Sequence, residues 1–140
     1  MPKLFKMMVS LSLLLAILVQ PTYAAEKNVK IKVTVVEIKL VENNHVGNEW
    51  YTAASVNGKE VSAGSSVTLT LKPSAMIQLK AYAQEQDKIP EDDTATASVK
   101  ASSITKTTTK ALSVVVTENR GRYSGNTATW KFTYKLQKAS

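Results

Sequence analysis

The chain contains no cysteine, so no disulfide can hold it and no thiol can act as nucleophile or metal ligand. It has a single histidine, His45, which rules out a histidine-rich zinc site, and with no cysteine beside it the usual nucleophile-and-base arrangements lose their best components. Aromatic residues make up only 6% of the sequence, too few to line a sugar cleft or to interleave a basic face for base stacking. Glu49 and Asp92 would be the pair to try for glycoside hydrolysis, but nothing in the sequence suggests such a cleft. Neither a G-x-S-x-G elbow nor a phosphate-cradling glycine loop occurs. These absences point away from an enzyme and towards a binding module.

Long apolar runs are scarce as well. Met7–Val19 ("MMVSLSLLLAILV") is the one such stretch, and it falls short of the ~20 residues a spanning helix needs. Lys3 and Lys6 precede it, and Thr22 and Ala24 follow at the small-residue positions of a cleavage site, so residues 1–24 read as a signal peptide. Cleavage is expected between Ala24 and Ala25, with no cysteine behind the apolar run to carry a lipid anchor. The expected product, residues 25–140, has the length of one domain with its own core. It is expected to be secreted or extracytoplasmic, and cysteine-free export favours a bacterial source.

Within residues 25–140 the dominant signal is alternation. Val29, Ile31, Val33 and Val35 alternate with polar residues, and Ile38 and Leu40 continue on the opposite parity, which requires a bulge near Val35–Val36. Glu49–Val56 runs into Asn57-Gly58, a strong hairpin signal. Val67, Leu69 and Leu71 form a further strand that Pro73 ends. Ile77, Leu79, Ala81 and Ala83 give a clean inward set, and Ala95, Ala97 and Val99 a weaker one. Leu112, Val114 and Val116, then Ala128, Trp130, Phe132, Tyr134 and Leu136, complete the pattern. The expected fold is all-β, a single antiparallel β-sandwich of about eight strands.

If successive strands alternate in direction, Glu42–Asn48, Ser62–Ser66, Glu85–Asp93 and Glu118–Asn126 fall at one end. Loops on a rigid scaffold are where binding residues tend to sit. That end collects "VENNHVGNEW", with Glu42 and Glu49, and "EQDKIPEDD", with Asp87, Asp92 and Asp93. Five of the chain's 11 acidic residues lie in the second stretch although the net charge is +7. Carboxylates and amides in such number are hard oxygen donors of the kind calcium takes six to eight of. Glu42, Glu49, Asp87, Asp92 and Asp93 are therefore the candidate calcium ligands. A solvated acidic loop offset by nearby basic residues is the other reading.

Here the chain resembles the C2-like calcium- and lipid-binding sandwiches, through Glu42–Glu49 and Asp87–Asp93. The resemblance implies eight strands with an acidic set on the loops of one end, and calcium-linked binding. It departs at Asn43 and Asn44, where such a site carries aspartates, and at Lys88. The strand order, C2-like or immunoglobulin-like, is left open. Arg120, Arg122 and Tyr123 on the last loop are candidate ligand-binding residues, since arginine forks grip phosphate or carboxylate; internal salt bridges are their alternative. The expected partner is an anionic surface ligand or a protein. In the second case the chain would be a secreted inhibitor or toxin-like effector that docks through its loops or an edge strand. The lysines, such as Lys30, Lys32, Lys131 and Lys135, alternate with apolar residues as on the solvent face of a sheet. Nucleic acid is not an expected partner, because Trp130, Phe132 and Tyr134 read as core.

Overall fold

The computed structural model describes residues 26–140. The leader expected at residues 1–24 lies outside the described residues. Eight strands follow in order: β1 (Val29–Asn43), β2 (Trp50–Val56), β3 (Lys59–Glu60), β4 (Ser66–Leu71), β5 (Met76–Glu85), β6 (Glu91–Lys100), β7 (Thr108–Thr117) and β8 (Thr127–Lys138). They form two antiparallel four-stranded sheets, β4-β1-β8-β7 and β3-β2-β5-β6. The architecture is the eight-stranded sandwich that the alternation implies. Among the described residues no helix is long and apolar enough to cross a membrane.

The core lies between the sheets because each central strand puts every second residue inward. Ile31, Val33, Val35, Phe132, Tyr134 and Leu136 come from the first sheet, and Val56, Ile77, Leu79, Ala81 and Ala83 from the second; all are fully buried. Tyr134 also joins the layers through its hydroxyl, which donates to the Lys80 carbonyl at 2.6 Å. Burial pushes that phenol up to about 12. Trp130 is only half-buried and meets Trp50 edge-on, at 5.6 Å between ring centroids.

Two register shifts in β1, between Val35 and Glu37 and between Leu40 and Glu42, let one 15-residue strand follow β8. At the first shift Val36 is the extra residue, as the parity change requires, and Gly64 donates to the Val35 carbonyl there. The turn containing Ser62–Ser66 therefore crosses beside the middle of β1. At the far end of the sandwich the other three loops, residues 44–49, 86–90 and 118–126, come together. Asn44 donates to the Thr127 carbonyl and Gln86 to the Glu49 carbonyl, and Asn119 donates weakly to the Glu91 carboxylate at 3.4 Å.

Candidate functional site

The first of these loops is organised by Asn43. Its amide nitrogen donates to the Gly47 carbonyl at 2.6 Å, and its amide oxygen accepts from Val46 N–H at 3.0 Å. Trp50 Nε1 reaches the same carbonyl at 3.2 Å. Val46 thereby plugs the end of the core, 3% exposed. Gly47 sits at φ +143°, and a Cβ there would overlap the Glu85 carboxyl group. Only a glycine lets the loop close over that carboxyl. Gly47→Ala should therefore push Glu85 aside and lower the melting temperature by several degrees, which thermal denaturation followed by circular dichroism would read.

Below Gly47, β5 and β6 place Glu85 and Glu91 directly opposite each other. Both are buried, at 3% and 7% exposure. Facing positions on one side of an antiparallel pair bring side chains within ~5 Å, and two like charges there repel. The exposed Asp87 completes the group, so that one carboxylate oxygen from each of Glu85, Asp87 and Glu91 lies within 4.8 Å of the others. The loop itself supports this arrangement. Asp87 N–H donates to Glu85 Oε2 at 3.1 Å, and Asp87 Oδ1 accepts from Ile89 N–H at 2.8 Å.

Glu91 Oε2 is buried and has no hydrogen-bond partner. Desolvation raises the Glu85 carboxyl to about 7, with further upward contributions from the Asp87 hydrogen bond and charge. Glu91 is raised by the same burial, and the neighbouring Glu118 and Asp87 carboxylates add to it. The cluster adjoins a depression of about 300 Å³ lined by Asp87, Lys88, Ile89, Glu91, Glu118 and Arg120. Three carboxylates held together in a partly dry place can bind a proton or a metal cation, and either would offset their repulsion.

Of the carboxylates singled out from the sequence, only Asp87 belongs to this cluster. Glu42 lies opposite Thr129 on the outer side of the first sheet, and Glu49 is an exposed residue whose backbone carbonyl holds Gln86. Asp92 and Asp93 are strand residues, because β6 begins at Glu91 and not after the acidic stretch. Asp92 accepts from the Tyr82 hydroxyl at 2.9 Å on the outer face, and Asp93 accepts from Thr94 N–H at 2.8 Å. Glu85 and Glu91, which the sequence pattern left among loop residues, replace them at the centre.

The last loop brings Arg120, Arg122 and Tyr123 to the same end, all exposed. Arg120 borders the depression, and its N–H donates to Glu118 Oε1 at 3.1 Å. Tyr123 stacks on His45 at 4.7 Å between ring centroids, with the planes 15° apart, and the Arg122 guanidinium stands 5.7 Å from the Tyr123 ring centre. His45 holds this stack from a left-handed backbone conformation, φ 56°. Comparison with protein-family models and with curated proteins finds no match to this chain.

Proposed function

We propose that this chain is an exported, non-catalytic binding module whose loop end holds a divalent cation, calcium by donor chemistry, and uses it to engage an anionic ligand. The observation that carries the reading is the facing pair Glu85 and Glu91, buried beside Asp87 with Glu91 Oε2 left unpartnered. A buried carboxylate oxygen without a donor is costly, and a cation seated among the three groups removes that cost. An all-oxygen donor set with no histidine or cysteine suits a hard cation over zinc or copper.

Three carboxylates leave positions in a six- to eightfold shell for water or for oxygens of a ligand. Lys88, Arg120 and Arg122 stand round the same end and would face the remaining negative charge of such a ligand. The His45–Tyr123 stack supplies an exposed planar surface beside them.

Calorimetric titration tests this reading. At pH 7 calcium should bind the parent and release a fraction of a proton, since Glu85 is partly protonated there and a ligand must be ionised. Proton release is read from the dependence of the heat on buffer ionisation enthalpy. Glu91→Gln should weaken binding at least tenfold, while Asp92→Asn should leave it unchanged. Absence of calcium binding, or equal loss in the two variants, would discard the site.

A further inference from the structure

The outer face of the first sheet carries a charge pattern independent of the loop end. Lys30 and Lys32 alternate with the buried Ile31, Val33 and Val35 on β1, so they point away from the core. Lys39 does the same between Ile38 and Leu40, both packed on the core. On β8, Lys131 and Lys135 alternate with the buried Phe132, Tyr134 and Leu136.

The register brings these residues into one stripe along the two central strands. Lys39 is directly opposite Lys131, and Lys32 is diagonal to Lys135 through the pairs Lys32–Gln137 and Thr34–Lys135. From Lys30 to Lys39 the stripe runs ~30 Å at about 3.3 Å per residue. Hydroxyl residues border it on both sides, Ser66, Thr68 and Thr70 on β4 and Thr109 and Ser113 on β7. Glu37 is the acid inside it, opposite Thr133, and Glu42, opposite Thr129, bounds it at the end next to Lys39 and Lys131. The second sheet has no counterpart: its outer face carries two lysines and two acids set apart, Lys80 opposite Ser55 and Thr96, Lys100 opposite Met76, Asp92 opposite Gln84 and Glu60 opposite Ser55.

Directly opposed like charges destabilise a sheet. The Lys39–Lys131 pair is such a cost, and a bound anion would relieve it. We infer that this stripe is a second binding surface, one that takes a linear phosphate polyanion along β1 and β8. A line of cations one or two strands wide matches a chain of phosphates better than it matches a planar bilayer. The aromatic side chains of β8 point inward, so the face has nothing on which nucleic-acid bases could stack.

Long-chain inorganic polyphosphate is the probe, with binding followed by fluorescence anisotropy at several salt concentrations in chelator. Five lysines at about 0.7 counterion each give a log–log salt slope near −3.5, or roughly a hundredfold loss between 50 and 200 mM salt. Lys39→Gln with Lys131→Gln should flatten the slope to about −2 and raise the melting temperature without ligand. Lys80→Gln with Lys100→Gln should leave both unchanged. No binding at low salt, or binding unaltered by the first pair, would overturn the inference. So would tighter binding to phosphatidylglycerol vesicles or to a single-stranded oligonucleotide. Because chelator is present throughout, failure here leaves the loop-end cation site untouched, and failure there leaves the stripe untouched.

Discussion

Phe132→Ala is expected to remove about 3–5 kcal/mol of stability, the cost of deleting a large core aromatic. Phe132 is fully buried in the centre of β8 and reaches the facing sheet's apolar layer. A domain of this size has only ~5–15 kcal/mol in total. The melting temperature should fall by on the order of 10–20 °C. Trp130→Ala, although it deletes a larger side chain, should cost less than Phe132→Ala. Its indole is half-buried, and its buried Nε1 has no hydrogen-bond partner to lose. Lys131→Ala, between them and facing out, should stay within about 0.5 kcal/mol. Denaturant titrations of the three variants check the order, and a Trp130 effect exceeding that of Phe132 would mean the core is centred elsewhere.

Stability should also fall with rising pH when no cation is present. In the folded chain Glu85 keeps its proton up to about pH 7, whereas in the unfolded chain it loses it near the ordinary value of 4.5. Between those limits the folded state binds more protons than the unfolded state, so each step upward in pH favours unfolding. Below pH 4.5 the protonated carboxyl carries no such penalty, and above pH 7 the penalty is complete. At about 1.4 kcal/mol per pH unit the loss across the window is roughly 3–4 kcal/mol. Glu91 moves in the same direction. Chemical denaturation in chelator from pH 4.5 to 8 should show this decline, and Glu85→Gln should flatten it. A stability that rises across the same window would show that the two carboxylates are not buried together.

The sandwich itself was legible because apolar residues recur every second position and the turns are short. Ile77, Leu79, Ala81 and Ala83 on β5 and Phe132, Tyr134 and Leu136 on β8 are buried on the parity they announce. The bulge at Val36 followed from the parity change alone. The convergence of three loops at one end followed from counting strands, and the turn holding Ser62–Ser66 escaped that count because β1 extends well beyond its pairing with β4.

The centre of the site was harder to read. Glu85 continues the inward parity of Ile77 to Ala83, and Glu91 opens the inward parity of Ala95 and Val99, so a signal was present. A carboxylate at the end of an apolar pattern ordinarily marks where a strand leaves the core. Here the ladder carries on for one more pair, and loop 44–49 covers it. Once Glu91 is a strand residue, alternation turns Asp92 to the outer face, where Tyr82 holds it. The roles of Asn43 and Gly47 in closing that loop depend on side-chain contacts between elements, which no local pattern reports.

Thermal melting at pH 8 in millimolar calcium and in chelator tests the cation-linked account most directly. By pH 8 Glu85, raised to about 7, is mostly ionised inside the cluster, so the repulsion an ion would offset is large. Calcium at a hundred times its dissociation constant should stabilise the fold by about 2.7 kcal/mol, moving the transition upward by about 10 °C. The Glu91→Gln variant should melt alike in the two conditions, above the parent in chelator and below the parent in calcium. Superimposable parent curves in calcium and in chelator would contradict the account and leave the three carboxylates as a proton-sharing cluster.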